Sequence, residues 1–168
     1  MRHKWKVKRG YLKIHIAVDV KRKKILALKV TDERIGDGRM LQPLVEEASE
    51  KGGKITKAIG DGAYDTKNNF HYLASKNIEP AIKVRKSSSN KAGGCMPRKL
   101  VAQEYLRNPE TWKRKHDYGQ RWIVESTFSS LKRTFGEHIS AKNMKNMTQE
   151  MMIKASLYNT LIGLTTTP

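Results

Sequence analysis

Cysteine is almost absent from this chain: Cys95 is the single one among 168 residues. An intrachain disulfide is therefore excluded, and no CxxC pair exists to hold zinc. The five histidines have no zinc-ligand spacing either. The neighbours Gly93, Gly94 and Pro97 predict a loop around Cys95, so we interpret its thiol as incidental rather than catalytic. The scarcity of cysteine fits a reducing cytosol.

The sequence also lacks a long hydrophobic run. Its most apolar late segment, residues 151–164, contains Lys154 and is too short to span a bilayer. The basic N-terminal stretch is not followed by an uninterrupted apolar segment, because Lys13 and His15 intervene, so no signal peptide is predicted. We therefore expect a cytoplasmic, nucleoid-associated protein with no membrane partner.

Acidic residues are scarce beside basic ones. The 34 lysines and arginines against 16 aspartates and glutamates give a net charge of +18. Basic clusters lie at 4–9, 21–24 and 113–115. A surface tuned for solubility could carry excess charge, but the size and clustering of this excess favour a polyanionic partner, with nucleic acid first.

The pattern of apolar residues predicts a mixed α/β fold in one domain. Partial alternation over 11–20 predicts a strand, 21–24 a charged turn, and 25–31 a second strand that completes an antiparallel hairpin. Helices are predicted over 37–51, 66–76, 118–135 and 147–164, with strands over 55–60 and 80–84. Small, polar residues between them predict a flexible loop insertion at 86–110.

The helix predicted over 118–135 concentrates chemistry on one face. At about 100° per residue, Tyr118, Arg121, Glu125 and Lys132 fall within about 60° of one another. The neighbouring stripe is apolar and should face the core; it consists of Val124, Phe128, Leu131 and Phe135. A carboxylate flanked by cations suits work on a phosphate chain held by a metal ion.

The spacing Tyr-x2-Arg-x3-Glu-x6-Lys resembles the signature of DDE transposases from prokaryotic insertion sequences. The segment Gly-Asp-Gly-Ala-Tyr-Asp at 60–65 resembles their second signature, and 11–19 and 30–37 also look like family sequence. The resemblance covers about 5–164 of residues 1–168. It implies a ribonuclease H-like fold and Mg²⁺ or Mn²⁺ as the cofactor. The implied reaction is DNA transposition, by metal-dependent phosphodiester cleavage and strand transfer. The implied partners are double-stranded DNA, at the element ends and the target, and further copies of the chain in a homo-oligomeric synaptic complex.

The resemblance also implies the roles of individual residues. Asp61 and Glu125 become the metal ligands, against the alternatives of an Asp-Gly turn residue and a surface glutamate paired with Arg121. Arg121 and Lys132 would contact phosphate or hold Glu125 in place.

Four aromatic and acidic positions complete the predicted site, each with an alternative. Tyr118 would hydrogen-bond phosphate or simply begin the helix. Trp122 could stack on an unpaired base, although a partly buried tryptophan is the simpler interpretation. Tyr64 and Asp65 are expected to contact DNA, with a helix N-cap at Asp65 as the alternative.

One family feature is missing: the first of its three acidic ligands and the strand that bears it. Neither Asp19 nor Asp37 is assigned to that role: the family fold implies that Asp19 lies at the opposite end of the sheet from Asp61, and Asp37 could cap a helix. The sequence thus predicts an N-terminally truncated catalytic domain with impaired or absent activity on its own. The alternatives are a non-catalytic basic nucleic-acid-binding module and a remnant without function.

Overall fold

The computed structural model describes residues 4–7, 11–85 and 93–165. The strands are β1 (Lys4–Lys6), β2 (Tyr11–Val18), β3 (Ile25–Asp32), β4 (Lys57–Gly60) and β5 (Glu79–Ile82). The helices are α1 (Leu41–Gly52), α2 (Lys67–Ser75), α3 (Met96–Arg107), α4 (Pro109–Lys115), α5 (Trp122–Phe135) and α6 (Met144–Thr165). Three short 3-10 turns occupy Asp37–Met40, Gly62–Tyr64 and Tyr118–Arg121. The mixed α/β class is confirmed.

The chain divides into two compact units. The first comprises Met1–Gly36, Pro43–Gly53 and Trp122–Pro168, and the second comprises Asp37–Gln42 and Lys54–Arg121. The predicted mixed sheet is present among the described residues as two separate sheets, β1-β2-β3 and β4-β5. None of the helices in the described ranges is both long and apolar enough to cross a bilayer.

The first unit is built on the predicted hairpin. Strands β1, β2 and β3 are antiparallel, and Ile14 lies opposite Val30. Leu12, Ile14 and Ile16 are buried, as alternation along a strand with one core face requires. The turn is fixed by Asp19, whose Oδ1 accepts the backbone N–H groups of the residues at 21 and 22 at 2.8 and 3.0 Å. Asp19 therefore stabilises the connection between β2 and β3.

The core of the first unit forms where α5 and α6 pack on this sheet. Phe128 and Leu131 are buried, while Val124 and Phe135 are partly buried against the same cluster, so the predicted apolar stripe is confirmed. From α6 come Met151, Ala155 and Tyr158, and from the strands come Trp5, Leu12, Ile14, Ile16, Ile25 and Leu28. Burial of the apolar stripe of α5 in this cluster holds the helix at a fixed rotation.

The second unit contains the parallel pair β4 and β5, connected through α2. The register places Gly60 beside Ile82. Phe70 and Leu73 of α2 are fully buried, as are Ala81 and Ile82 of β5. Because parallel strands end at the same edge, residues that follow β4 and β5 are presented on one side of the unit.

The predicted loop at 86–110 is wrong over most of its length. Residues 96–107 form α3 and α4 begins at Pro109, whereas 86–92 lie outside the described residues. Val101, Ala102 and Tyr105 are buried, so α3 has an apolar face. The loop prediction extended the small, polar composition of 87–94 over this helix. Pro97 lies in the first turn, where a proline favours helix initiation.

The predicted continuous helix over 118–135 also needs correction. Residues Tyr118–Arg121 form a 3-10 turn, and the α-helix begins only at Trp122. Asp117 has a φ of 53°, in the left-handed region, and Gly119 weakens helix propagation. Tyr118 is instead packed against Trp112, with ring centroids 5.3 Å apart. The four signature residues therefore do not lie on one α-helix.

Candidate active site

Asp61 directly follows β4, at the carboxyl end of a parallel strand. Its Oδ1 accepts the backbone N–H of Ala63 at 2.8 Å and thereby caps the 3-10 turn Gly62–Tyr64. The turn role that we considered as an alternative is therefore real. The other oxygen, Oδ2, has no hydrogen-bond partner among the described residues, and Asp61 is only half-buried. A carboxylate with one oxygen fixed and one available suits a metal ligand.

Tyr64 lies beside Asp61 in the same turn. Its ring covers Gly60, where an added Cβ would lie 3.1 Å from Tyr64 Cδ2. Burial raises the pKa of the Tyr64 phenol, and the negative charges of Asp37 and Asp61 raise it further. Both carboxylates therefore lie near enough to the phenol to influence its pKa. The predicted DNA contact of Tyr64 stays a prediction.

Asp65 is an interior residue of the second unit. Its Oδ1 accepts from Arg98 Nε at 2.6 Å, and its Oδ2 accepts from Arg98 Nη2 at 2.9 Å. Thr66, not Asp65, caps α2, because Thr66 Oγ1 accepts the backbone N–H of Asn69. The alternative of an Asp65 N-cap is thus wrong. A contact of this carboxylate with DNA stays a prediction, and it would require the Arg98 pair to open.

In the first unit, α5 presents Glu125 and Lys132 on one face. The two positions are seven residues apart, so they differ by only about 20° around the axis. Glu125 is half-buried in the first turn of α5. Lys132 Nζ lies 3.3 Å from Oε1 of Glu137. Arg121, half-buried at the end of the preceding 3-10 turn, lies off this helix.

Tyr118 and Trp122, the two aromatic residues at the start of the signature segment, differ in exposure. Trp122 is 56 % exposed, so its indole is partly buried and partly accessible to a partner, and its stacking on a base stays a prediction. Tyr118 is buried and joins the aromatic cluster around Trp112. Only its hydroxyl could meet a phosphate, and that contact stays a prediction.

A polar cluster that we had not predicted lies in the second unit around His116. The ring is buried, with Nδ1 2.6 Å from Oε1 of Glu79 and Nε2 3.0 Å from Oε2 of Glu104. Lys57 extends the cluster, since its Nζ lies 3.6 Å from Glu79 and 3.2 Å from Asp117. The partners are separated by 12 to 60 positions in sequence, so no local motif could have indicated them.

Among the described residues, no group of three or more histidine, cysteine, aspartate or glutamate side chains could hold a metal ion. Magnesium nevertheless needs few protein ligands, mostly carboxylates, and completes its shell with water and phosphate. Asp61 and Glu125 have the right chemistry for such ligands. Each is half-buried at the end or start of an element that orients its backbone.

A family model described as the transposase DDE domain matches residues 2–160. The chain belongs to this family. The match covers both units, and it confirms the resemblance drawn from the signatures at 60–65 and 118–132. No solved structure matches the chain. Membership in the transposase DDE domain family associates the protein with DNA transposition and recombination, with DNA as substrate and with a divalent metal ion.

Proposed function

We propose that this transposase domain cleaves phosphodiester bonds at the ends of an insertion sequence and joins them to target DNA, with Asp61 and Glu125 as metal ligands. The observation that carries the proposal is the position of Asp61. It follows the parallel strand β4 at the edge where α/β folds present active residues, and its Oδ2 has no hydrogen-bond partner among the described residues.

Mg²⁺ or Mn²⁺ is the proposed cofactor. Asp61 and Glu125 would hold such an ion, which when bound would neutralise charge on the phosphate and activate the attacking hydroxyl or water. The chain's own contribution is to fix the ligands. The Ala63 N–H fixes Asp61 Oδ1, and burial of Phe128 and Leu131 fixes the rotation of the helix that bears Glu125.

Cationic side chains would hold the DNA strand. We propose that Arg121 and Lys132 contact phosphate, and that Trp122 stacks on an unpaired base. The support is local: Lys132 shares the Glu125 face of α5, and the Trp122 ring is exposed. Tyr118 and Tyr64 stay candidates for phosphate and DNA contact through their hydroxyls.

We further propose that both units belong to one catalytic domain with a ribonuclease H-like fold. The family match across 2–160 supports the single domain, and the antiparallel hairpin followed by a parallel β-α-β unit supports the fold. The partner would be double-stranded DNA, bound at a nucleoid location by a homo-oligomer that pairs two element ends.

A cleavage assay tests the proposal. Duplex DNA carrying the terminal repeats of the element is incubated with Mg²⁺ or Mn²⁺ and a full-length reconstruction of the transposase. Glu125→Gln and Asp61→Asn should abolish nicking and strand transfer and leave DNA affinity nearly unchanged. Asparagine at 61 can still accept from Ala63, so the turn should survive. Asp19→Asn is the matched control, because Asp19 serves only the hairpin turn.

Two outcomes would contradict the proposal. If Glu125→Gln cleaves as well as the wild type, Glu125 is not a metal ligand. If cleavage proceeds without a divalent metal ion, the metal is not the cofactor. The expectation that the present chain alone is impaired stays a prediction, and running it in the same assay tests it.

The second candidate is a non-catalytic basic nucleic-acid-binding module, and the net charge of +18 supports it and the first candidate equally. Both candidates predict DNA binding that weakens steeply with salt, because phosphate contacts release counterions. The two candidates differ in the expected effect of neutralising the carboxylates on DNA affinity and on nicking. A pure binder should bind DNA more tightly when Asp61 or Glu125 is neutralised, and it should show no metal-dependent nicking by the reconstruction.

A further inference from the structure

Two 3-10 turns of the second unit are fastened together beside Asp61. The turn Asp37–Met40 and the turn Gly62–Tyr64 are far apart in sequence but lie in contact. Asn69 of α2 joins them: its Nδ2 donates to the backbone O of Gly38 at 2.9 Å and to the backbone O of Tyr64 at 3.0 Å. Both amide hydrogens are thus used, and Asn69 is only 5 % exposed.

The two turns also meet at close range. A Cβ added to Gly38 would lie 2.8 Å from the backbone O of Ala63 and 3.3 Å from Thr66 Cγ2. Only a residue without a side chain allows this approach. Gly38 therefore allows the two turns to approach closely, and the two hydrogen bonds of the Asn69 amide hold them together.

This fastening bears directly on Asp61. The Asp61 side chain is oriented by the N–H of Ala63, and Ala63 is the residue whose carbonyl faces Gly38. The same contact brings Asp37 near Tyr64, and the charges of Asp37 and Asp61 both raise the pKa of the Tyr64 phenol. Any loosening between the turns would move the backbone that aims the Asp61 carboxylate.

We infer that Asn69, together with Gly38, is a positioning residue for the Asp61 carboxylate. Asn69 is buried, and it acts through the backbone of the Gly62–Tyr64 turn. This inference rests on the proposed function for its connection to the metal ion. Groups that orient a ligand from behind raise metal affinity by limiting the geometries that the ligand samples.

The test uses the present chain, labelled with ¹⁵N, and two readouts. Without metal, amide hydrogen exchange at Ala63 reports the hydrogen bond to Asp61 Oδ1. With increasing Mn²⁺, paramagnetic broadening of the Asp61, Gly62 and Ala63 amides reports occupancy of the carboxylate. For Asn69→Ala, we expect faster exchange at Ala63 and a Mn²⁺ concentration for half-broadening that is higher by about tenfold.

Gly38→Ala provides a second variant, which keeps the Asn69 amide and adds a methyl group against Ala63. It should change the same two readouts in the same direction, and it carries the test if Asn69→Ala does not fold. Two matched controls separate positioning from stability. Asn159→Ala removes an equivalent pair of 2.8 Å bonds to the backbone of Ile25 in the first unit, and Gly36→Ala adds a methyl group that meets nothing within 4 Å.

The controls should leave both readouts at their wild-type values. Unchanged Ala63 exchange and Mn²⁺ broadening in folded Asn69→Ala or Gly38→Ala would overturn the inference while leaving Asp61 as a ligand. Absence of any broadening around Asp61 in the wild-type chain would overturn the ligand role of Asp61 and the inference together. Equal effects in Asn159→Ala would show general loosening and would also overturn it.

Discussion

Arg98 and Asp65 form a two-point ion pair inside the second unit, with Nε–Oδ1 and Nη2–Oδ2 distances of 2.6 and 2.9 Å. The Asp65 side chain is 1 % exposed, and its Oδ2 also accepts the backbone N–H of Arg85 at 3.2 Å. The pair connects the residue that precedes Thr66, the cap of α2, to the first turns of α3. A planar guanidinium matches both oxygens of a carboxylate, which a lysine cannot do.

Removing Arg98 should therefore destabilise the protein strongly. For Arg98→Ala we expect the free energy of unfolding to fall by about 3–5 kcal/mol, because a buried carboxylate loses its counter-charge. Arg98→Lys should recover only part of this loss. Urea unfolding monitored by circular dichroism measures the change. Arg107→Ala, in the exposed last turn of the same helix, is the control and should have little effect. An Arg98→Ala variant as stable as the control would show that the pair contributes nothing.

Alkaline pH should reveal the burial of Tyr64. Burial and the nearby carboxylates raise the pKa of its phenol above the ordinary value of 10.0. Above pH 10 the unfolded chain loses this proton and the folded chain keeps it, so stability falls as pH rises, by up to about 1.4 kcal/mol per pH unit. Tyr64→Phe should have a shallower decline above pH 10 than the wild type. Parallel stability curves for the two proteins would contradict this assignment.

Several elements could be predicted because their information is local. The alternation of Leu12, Ile14 and Ile16 predicts the core face of β2, and the charged turn after it predicts the hairpin with β3. The helix predicted from residue 66 is α2, which begins at Lys67 with Thr66 as its cap. Asp61 could be selected because a short signature follows a strand. In each case, neighbours within a few positions carry the signal.

The features that could not be predicted depend on contacts between distant residues. Tyr118 leaves the helix because its ring packs on Trp112, and α3 orders where its buried face meets α2. The Asp65–Arg98 pair spans 33 positions, and the Asn69–Gly38 contact spans 31. No periodicity indicates such pairs, because tertiary packing overrides local propensity where a glycine or a left-handed residue makes a helix weak.

Trp122 should contribute directly to nucleic-acid affinity. It is 56 % exposed, whereas Trp5 and Trp112 are fully buried, so quenching of tryptophan fluorescence by iodide reports chiefly on Trp122. Bound single-stranded DNA should protect it. Trp122→Ala should weaken binding by about 1–3 kcal/mol, the usual value of base stacking on an aromatic ring, and Trp122→Phe should lose less. Leu100→Ala removes a similarly exposed apolar side chain and is the control. Undiminished iodide quenching in the complex would place Trp122 outside the DNA contact.

Acid should weaken the cluster around His116 through Glu104. The hydrogen bond from Lys115 lowers the pKa of Glu104, and the hydrogen bond and charge of His116 lower it further. The His116 ring lies between two carboxylates, with Nδ1 2.6 Å from Glu79 Oε1 and Nε2 3.0 Å from Glu104 Oε2. The Glu104 side chain is 36 % exposed, so solvent screening limits its contribution to about 1 kcal/mol or less.

The sign of this contribution follows from the lowered pKa. The stabilisation is complete above the ordinary glutamate pKa of 4.5 and is lost as pH falls through the lower folded value. Glu104→Gln should therefore be less stable than the wild type at pH 7, and the two curves should converge in acid. Glu110→Gln is the matched control, since Glu110 pairs with Lys113 at 2.7 Å on an exposed surface and should give no measurable change. A Glu104→Gln variant whose deficit is the same at pH 7 and in acid would show that its role is packing rather than charge.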